Sequence, residues 1–134
     1  MAFVHGKNTF VSVGGTDLSD FTDSSELNRT ADSHDTTTYG NDSHRKSGGL
    51  LDGKFTMSGT YDNTASTGPR AVLEPKLGTT TAVVRQPEGT GAGKPQDSFN
   101  AVLVSYVETS PTADMVKWSA EFEIDGDVNS EAQA

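Results

Sequence analysis

Apolar and polar residues alternate most sharply near the C-terminal end of this chain, between residues 115 and 125. From residue 116 onward, the apolar residues all have even numbers: Val116, Trp118, Ala120, Phe122 and Ile124. Side chains of a β-strand alternate between two faces, so this pattern predicts a strand with one buried face. Glu121, Glu123 and Asp125 would share the opposite face. We expect Gly126 to end the strand and residues 129–134 to form a flexible tail.

Weaker strand patterns precede it, made of β-branched, aromatic or alternating apolar residues. They are residues 9–13, 36–39, 54–61, 79–85 and 99–108. In the third of these, Phe55 and Met57 alternate with polar neighbours, which predicts a strand with one buried face. The last is a nearly continuous apolar run, which predicts a central strand covered on both faces.

One short helix is predicted between Pro69, which favours a helix start, and Gly78, which favours a helix end. Pro69 suits the first turn of a helix and Gly78 suits the position after its end. Ser66 or Thr67 is the expected cap, and Pro75 should keep the helix short or kinked. Its apolar residues are expected to face the core: Val72, Leu73 and Leu77.

Residues 40–53 have the composition of a long loop or a protruding hairpin. They are rich in Gly, Asn, Asp and Ser, and they carry a basic group formed by His44, Arg45 and Lys46 ahead of Leu50 and Leu51. Loops of this length in a compact domain usually have a function. Residues 87–95, by contrast, are predicted to form a flexible, glycine-rich loop.

The composition fits one all-β domain. The chain has 134 residues, of which 14 are glycine and only 32% are apolar. We expect one domain over residues 1–128, followed by the flexible tail at residues 129–134. The predicted core residues are Phe55, Met57, Leu73, Leu103, Trp118, Phe122 and Ile124. Because so few residues are apolar, we expect neighbouring subunits to add stability, which favours an oligomer.

The charge balance argues against tight nucleic-acid binding. Ten Lys and Arg stand against nineteen Asp and Glu, which gives a formal charge of −9. Such a chain is poorly suited to hold phosphate backbones. Cysteine is absent, so disulfides, thiolate zinc sites and cysteine nucleophiles are excluded. The short apolar runs predict neither a membrane segment nor a signal peptide, so we expect synthesis and folding in cytoplasm.

Two motif-like segments resemble ligand-binding loops without meeting their requirements. In residues 89–94, a glycine-rich stretch ends in Gly93-Lys94, but Glu88 stands where a phosphate-binding loop needs its first glycine, and Pro95 replaces its Ser or Thr. Residues 125–129 match the start of a calcium loop, but its twelfth position would fall beyond the chain. Both are interpreted as loop or turn segments, and no cofactor is predicted.

No catalytic or metal site is predicted either. The three histidines are His5, His34 and His44, and no two of them have the spacing of paired ligands on one strand or helix face. A surface metal site near Asp35 or Asp42 stays open, although scattered surface histidines are commoner. The chain lacks a Gly-x-Ser-x-Gly elbow and any carboxylate in an apolar surround. We therefore expect a protein that is not an enzyme.

The order of these parts resembles the major tail tube proteins of long-tailed bacteriophages, of the siphovirus type. The resemblance spans about residues 8–128 and lies in DTTTYG (35–40), LDGKFTMSGTYD (51–62), a short helix and WSAEFEIDG (118–126). It implies a β-sandwich or partial barrel with one short flanking helix. Six such subunits would form a ring whose joined sheets leave no exposed edge around a lumen.

The resemblance also implies partners and sites. Rings would stack through the long loop and the chain termini, which makes His44, Arg45, Lys46, Leu50 and Leu51 candidate stacking residues. The implied partners are further copies of the chain in hexameric rings, a tape measure protein, and tail terminator or tip proteins. DNA would pass through without specific binding. The implied location is the virion tail, assembled in the host cytoplasm.

A lumen that DNA must leave freely should present acids, because each basic contact adds affinity for phosphate. Glu121, Glu123 and Asp125 are the candidate lumen residues, although alternation does not decide whether their face is the lumen or an outer surface. Two other functions stay open: a capsid decoration or head-tail joining protein, and a carbohydrate-binding or adhesion β-sandwich. Against the second stands the lack of an aromatic cluster, since Trp118 lies on the apolar face.

Overall fold

The computed structural model describes residues 3–62 and 68–133. Seven strands and one short α-helix lie within these ranges: β1 (Phe10–Val13), β2 (Thr16–Asp17), β3 (Ser24–Asp35), β4 (Lys46–Thr60), α1 (Pro69–Leu73), β5 (Thr80–Gln86), β6 (Pro95–Thr109) and β7 (Lys117–Ala132). The strands form one antiparallel sheet in the order β2-β1-β5-β6-β7-β4-β3. The prediction of an all-β fold with one short helix is confirmed.

The sheet curls around its own apolar face, so that the fold is a partial barrel. Strand β7 separates β4 from β6, yet the rings of Phe55 and Phe99 lie 5.5 Å apart, edge to face. In a flat sheet, strands two positions apart are separated by about 10 Å. The turn at Ser19–Phe21 closes over this core, where the indole Nε1 of Trp118 donates a hydrogen bond to the Phe21 carbonyl at 3.2 Å. We call the face that bears Phe55 the inner face and the opposite one the outer face.

The predicted core residues lie on the inner face and beneath α1. The buried ones are Phe55, Met57, Leu73, Leu103, Trp118 and Phe122, and Ile124 is half-buried against them. Leu77 was predicted to face the core but is 50% exposed. After α1, Pro75 lies in a tighter helical turn, Glu74–Lys76, which ends before Leu77 can turn inward.

The ends of the helix follow local chemistry. Its first residue is Pro69 and its N-cap is Gly68; the predicted caps, Ser66 and Thr67, lie outside the described residues. Gly78 has a φ of +81°, a backbone conformation that favours glycine, and it ends the helical segment as predicted.

The longest difference from the sequence-based prediction lies in β3 and β4. Residues 36–39 were predicted to form a strand, but the strand is Ser24–Asp35, and Tyr39 is fully exposed in the turn that follows. Strand β4 begins at Lys46 rather than near Lys54. The distal halves of both strands are exposed on both faces, so they carry no apolar alternation that would predict them.

Strands β6 and β7 also differ from expectation. In β6, Leu103 is buried but Val104 and Val107 are exposed, so only one face is covered. Gly126 does not end β7: with a φ of +90° it lies in a bulge, where residues 126–128 oppose the single residue Phe99. Beyond it, residues 129–132 pair with β6 instead of forming the expected flexible tail.

Candidate assembly surfaces

The distal halves of β3 and β4 form a two-stranded ribbon, which we call the arm (residues 29–53). Strand β4 pairs with β7 only from Lys54 to Thr60, whereas it pairs with β3 as far as Lys46 opposite Asp35. The ribbon therefore has no third strand beside it among the described residues. A two-stranded ribbon is at best marginally stable alone in water, so the arm is expected to be held by a partner.

Hydrogen bonds within the arm shape its tip. The Thr37 amide donates to Asp35 Oδ1 at 2.9 Å, and the Arg45 amide donates to the Thr37 hydroxyl at 2.9 Å. His44 Nδ1 lies 3.4 Å from Asp35 Oδ2. The hydrogen bonds from Thr37, assisted by His44, hold the pKa of the Asp35 carboxyl below its usual value. The tip thus has a defined shape that presents Arg45 outward.

Exposed apolar side chains lie along the arm. Leu50 is 80% exposed and Leu51 is 77% exposed. At this point Gly49 and Leu50 together oppose Asp32, a bulge that re-aims the strand. Contiguous exposed apolar side chains rimmed by polar residues often mark contact surfaces. All five candidate stacking residues therefore belong to the arm or its tip: His44, Arg45, Lys46, Leu50 and Leu51.

The acids of β7 lie on the outer face of the sheet, opposite the buried side chains of the same strand. Glu121 stands across from Thr56, and Glu123 stands across from Lys54. Lys54 Nζ lies 2.8 Å from Glu121 Oε1. The hydrogen bond and charge of Glu121, with the charge of Glu123, raise the pKa of Lys54 above its usual value.

The register extends this acidic surface across three strands. Glu26 on β3 lies across from Thr56 on β4. Asp52 lies two residues before Lys54 on β4, so the two side chains share the outer face. We call the resulting surface the acidic face. It is formed by five acidic residues and the basic residue Lys54, and the acids are Glu26, Asp52, Glu121, Glu123 and Asp125. Five carboxylates stand against Lys54 on this surface, and Lys117, at the start of the same face of β7, lies 3.7 Å from Asp114. The potential of the surface is therefore negative.

The two edges of the sheet differ greatly in length. Strand β3 is an edge of 12 residues, whereas β2 at the other edge has only 2. An unpaired edge presents a row of backbone donors and acceptors, which can pair with a strand from another chain. The long edge of β3 runs directly into the arm, so the two candidate contact surfaces are continuous.

The segments that resembled ligand-binding loops are structural. The Gly91 amide donates to Gln133 Oε1 at 3.0 Å, and Gln133 Nε2 donates to the Gly89 carbonyl at 2.8 Å, so the C-terminal end fixes the glycine-rich loop. This loop leads into β6 rather than into a helix. Within residues 3–62 and 68–133, no group of three or more His, Asp or Glu is placed to hold a metal ion.

No helix in the described parts of the chain is long and apolar enough to cross a membrane. No protein-family model matches the sequence, and no curated protein matches it either. Sequence comparison therefore assigns no family, and the likeness to known proteins lies in the fold.

Solved structures resemble this chain over nearly its whole length. A chain in the tail of an empty gene transfer agent particle, refined with C6 symmetry, has a TM-score of 0.75 at 13% identity, covering 97% of this chain and 100% of that one. The SPP1 tail tube gives a TM-score of 0.75 at 8% identity, covering 98% and 80%. A chain of the sheath-tube complex of an extracellular contractile injection system gives 0.68 at 14% identity, covering 98% and 93%.

These likenesses cover both the curled sheet and the residues of the arm. At identities of 8 to 14%, they concern how the chain folds rather than what each residue does. The chain therefore has the fold of phage tail tube subunits.

Proposed function

We propose that this chain is the major subunit of a phage tail tube, a structural, non-enzymatic protein that polymerises as stacked rings around a lumen for DNA. The observation that carries the proposal is the long free edge of β3, which continues into an exposed arm. A monomer with such an edge is prone to pair with other chains. A closed ring uses the same edge productively, because it leaves no strand unpaired.

Six-fold closure is supported by the C6 symmetry of the gene transfer agent tail that this fold resembles. In such a ring, β3 of one subunit lies beside the sheet of the next. On the other side of each subunit, the two-residue strand β2 pairs only with Ser12 and Val13 of β1. A cyclic, head-to-tail contact of this kind closes when the rotation between subunits completes a circle.

Stacking of rings is assigned to the arm. Leu50 and Leu51 supply apolar area, and the basic residues Arg45 and Lys46 supply charge that complements an acidic neighbour. Two leucines buried at a contact contribute about 3–5 kcal/mol, which is enough to decide whether rings stack. The arm would then gain the packing against other residues that it lacks in the single subunit.

The acidic face is assigned to the lumen. It is the outer face of the sheet that a closed ring would make continuous, and Lys54 is already paired with Glu121 at 2.8 Å. Phosphates passing such a wall meet carboxylates and no free ammonium group from this set. Repulsion of this kind lets DNA move without binding. Tape measure and tail terminator or tip proteins, a place in the virion tail, and assembly in the host cytoplasm belong to the same proposal.

The proposal is tested by assembly of the purified chain. At high protein concentration we expect rings or long tubes of constant diameter in negative-stain electron micrographs, with six-fold symmetry in end-on views. Sedimentation should show large particles that depend on concentration, since assembly follows mass action. A chain that stays monomeric at millimolar concentration, as an adhesion module would, contradicts the proposal.

The lumen assignment predicts a specific effect of charge reversal. Glu121→Lys with Glu123→Lys is expected to leave tubes intact but to slow DNA ejection, because it adds phosphate-binding cations. Asp20→Lys with Glu88→Lys changes the net charge equally away from the acidic face and serves as the control. Ejection would be timed by fluorescence of a DNA-binding dye with virions carrying each tube. Normal ejection through intact double-mutant tubes would mean that this face does not line the lumen.

A further inference from the structure

A cleft of about 650 Å³ opens between the start of β3 and the edge formed by β1 and β5. We call it the basic cleft. The residues with polar side chains on which the argument depends are His5, Lys7, Ser19, Asp23 and Arg85. None of the residues that line it belongs to the arm or to the acidic face.

Arg85 is the most constrained residue of the basic cleft. It lies on β5 across from Val11 and Asp97, and its side chain is only 22% exposed. Its Nε is buried and has no hydrogen-bond partner among the described residues. A buried guanidinium donor without an acceptor costs free energy that an incoming acceptor would recover.

The nearest acid does not satisfy this arginine. Arg85 Nη1 lies 4.0 Å from Asp97 Oδ2, at the outer limit of an ion pair. Asp97 Oδ1 instead accepts a hydrogen bond from the Ser130 hydroxyl at 2.5 Å, and that hydroxyl also accepts one from Arg29 Nη1 at 3.1 Å. Asp97 is thus divided between Ser130 and Arg85, and its contact with Arg85 is the longer of the two.

Apart from Arg85, the charged residues that line the basic cleft are one base, Lys7, and one acid, Asp23. Elsewhere the chain is strongly acidic, with a net charge of −9 and with seven acids against one base in residues 98–134. The chemistry that fits this cleft is a carboxylate, which accepts two hydrogen bonds from a guanidinium side by side.

We infer that the basic cleft is a contact between subunits that receives a carboxylate side chain from a second copy of this chain. The inference rests on the proposed function, since a ring brings many copies of one acidic surface together. Phosphates of DNA would have to enter from solution against the net charge of −9, with no other contact to hold them in place. A carboxylate on a packed neighbour is instead delivered at high effective concentration.

Carbodiimide cross-linking tests the contact directly, because it joins an amine to a carboxylate only where the two touch. Tubes would be assembled from a mixture of ¹⁴N-labelled and ¹⁵N-labelled subunits, cross-linked and analysed by mass spectrometry. We expect a peptide containing Lys7 joined to an Asp or Glu peptide of the other isotope, and its absence from unassembled subunits. Tubes in which Lys7 is linked only to Asp23 of its own chain, or to no carboxylate at all, would overturn the inference.

Variants measure the contribution of the cleft. Arg85→Gln is expected to raise the concentration needed for assembly about tenfold or more, whereas Arg85→Lys, which keeps the charge, should have a smaller effect. Thermal unfolding of the unassembled subunit checks the fold, and exposed Lys7→Gln gives the same readout should Arg85→Gln fail to fold. If folded variants assemble at the wild-type concentration, the inference is wrong while the tube proposal stands. A wild-type chain that never assembles would overturn both.

Discussion

Replacing Gly59 by alanine is expected to lower the free energy of unfolding by about 3 kcal/mol or more. Gly59 lies in β4, where a Cβ atom would fall 1.8 Å from the Phe21 carbonyl oxygen and 2.8 Å from its carbon. Both contacts are with backbone, so no side chain can rotate away. The same carbonyl accepts the hydrogen bond from Trp118 Nε1, so moving it would also open the closure over the core.

Gly48→Ala is the matched control, because Gly48 lies in the same strand and a Cβ there meets nothing within 4 Å. We expect its free energy of unfolding to stay within about 0.5 kcal/mol of the wild type. Urea denaturation, followed by the fluorescence of Trp118, the single tryptophan, would measure both variants. Equal midpoints for the two variants would show that the Ser19–Phe21 turn yields easily and does not hold the sheet closed.

The core was predictable where burial imposes alternation on the sequence. Trp118, Ala120 and Phe122 repeat at every second residue and face the core in the fold, whereas Glu121 lies on the opposite face. The alternation in the sequence predicts which side chains share a face of the strand. It does not predict which residue of the neighbouring strand lies opposite, because a shift in register leaves the alternation unchanged. The ion pair of Lys54 with Glu121 could therefore not be predicted from the sequence.

The arm escaped prediction for the opposite reason. From Arg29 outward the ribbon is exposed on both faces, so burial imposes no pattern on it. The β-propensity of residues 36–39 gave a wrong prediction, because this β-branched segment forms the turn after β3 and not a strand. A segment that is buried only by contacts with other subunits need not show the apolar alternation that burial within one subunit imposes.

The basic cleft was equally hidden. Lys7, Asp23 and Arg85 are far apart in sequence, and only the curling of the sheet brings β1, β3 and β5 to one opening. Each residue alone has the character of an ordinary surface charge. The distinguishing feature is the buried, unpaired Nε of Arg85, which appears only when neighbouring atoms are placed around it.

Replacing Leu50 and Leu51 together by aspartate is expected to abolish tube formation at concentrations where the wild-type chain assembles. Their exposures of 80% and 77% mean that the subunit gains little from them before assembly. Burying both at a ring-to-ring contact would contribute about 3–5 kcal/mol, so the assembly constant should fall by roughly a hundredfold or more. Sedimentation over a range of protein concentrations would measure the change, with electron microscopy to show whether single rings persist.

The double variant Leu50→Met with Leu51→Met is the control, since it keeps apolar area at both positions and changes no charge. We expect it to form tubes at nearly the wild-type concentration. Thermal unfolding of the aspartate variant should match that of the wild-type subunit, because neither leucine packs in the core. Single rings without tubes would place the two leucines between rings, whereas the loss of rings as well would place them within a ring. Normal tubes from the aspartate variant would remove the arm from the assembly contact, and the free edge of β3 alone would then have to account for it.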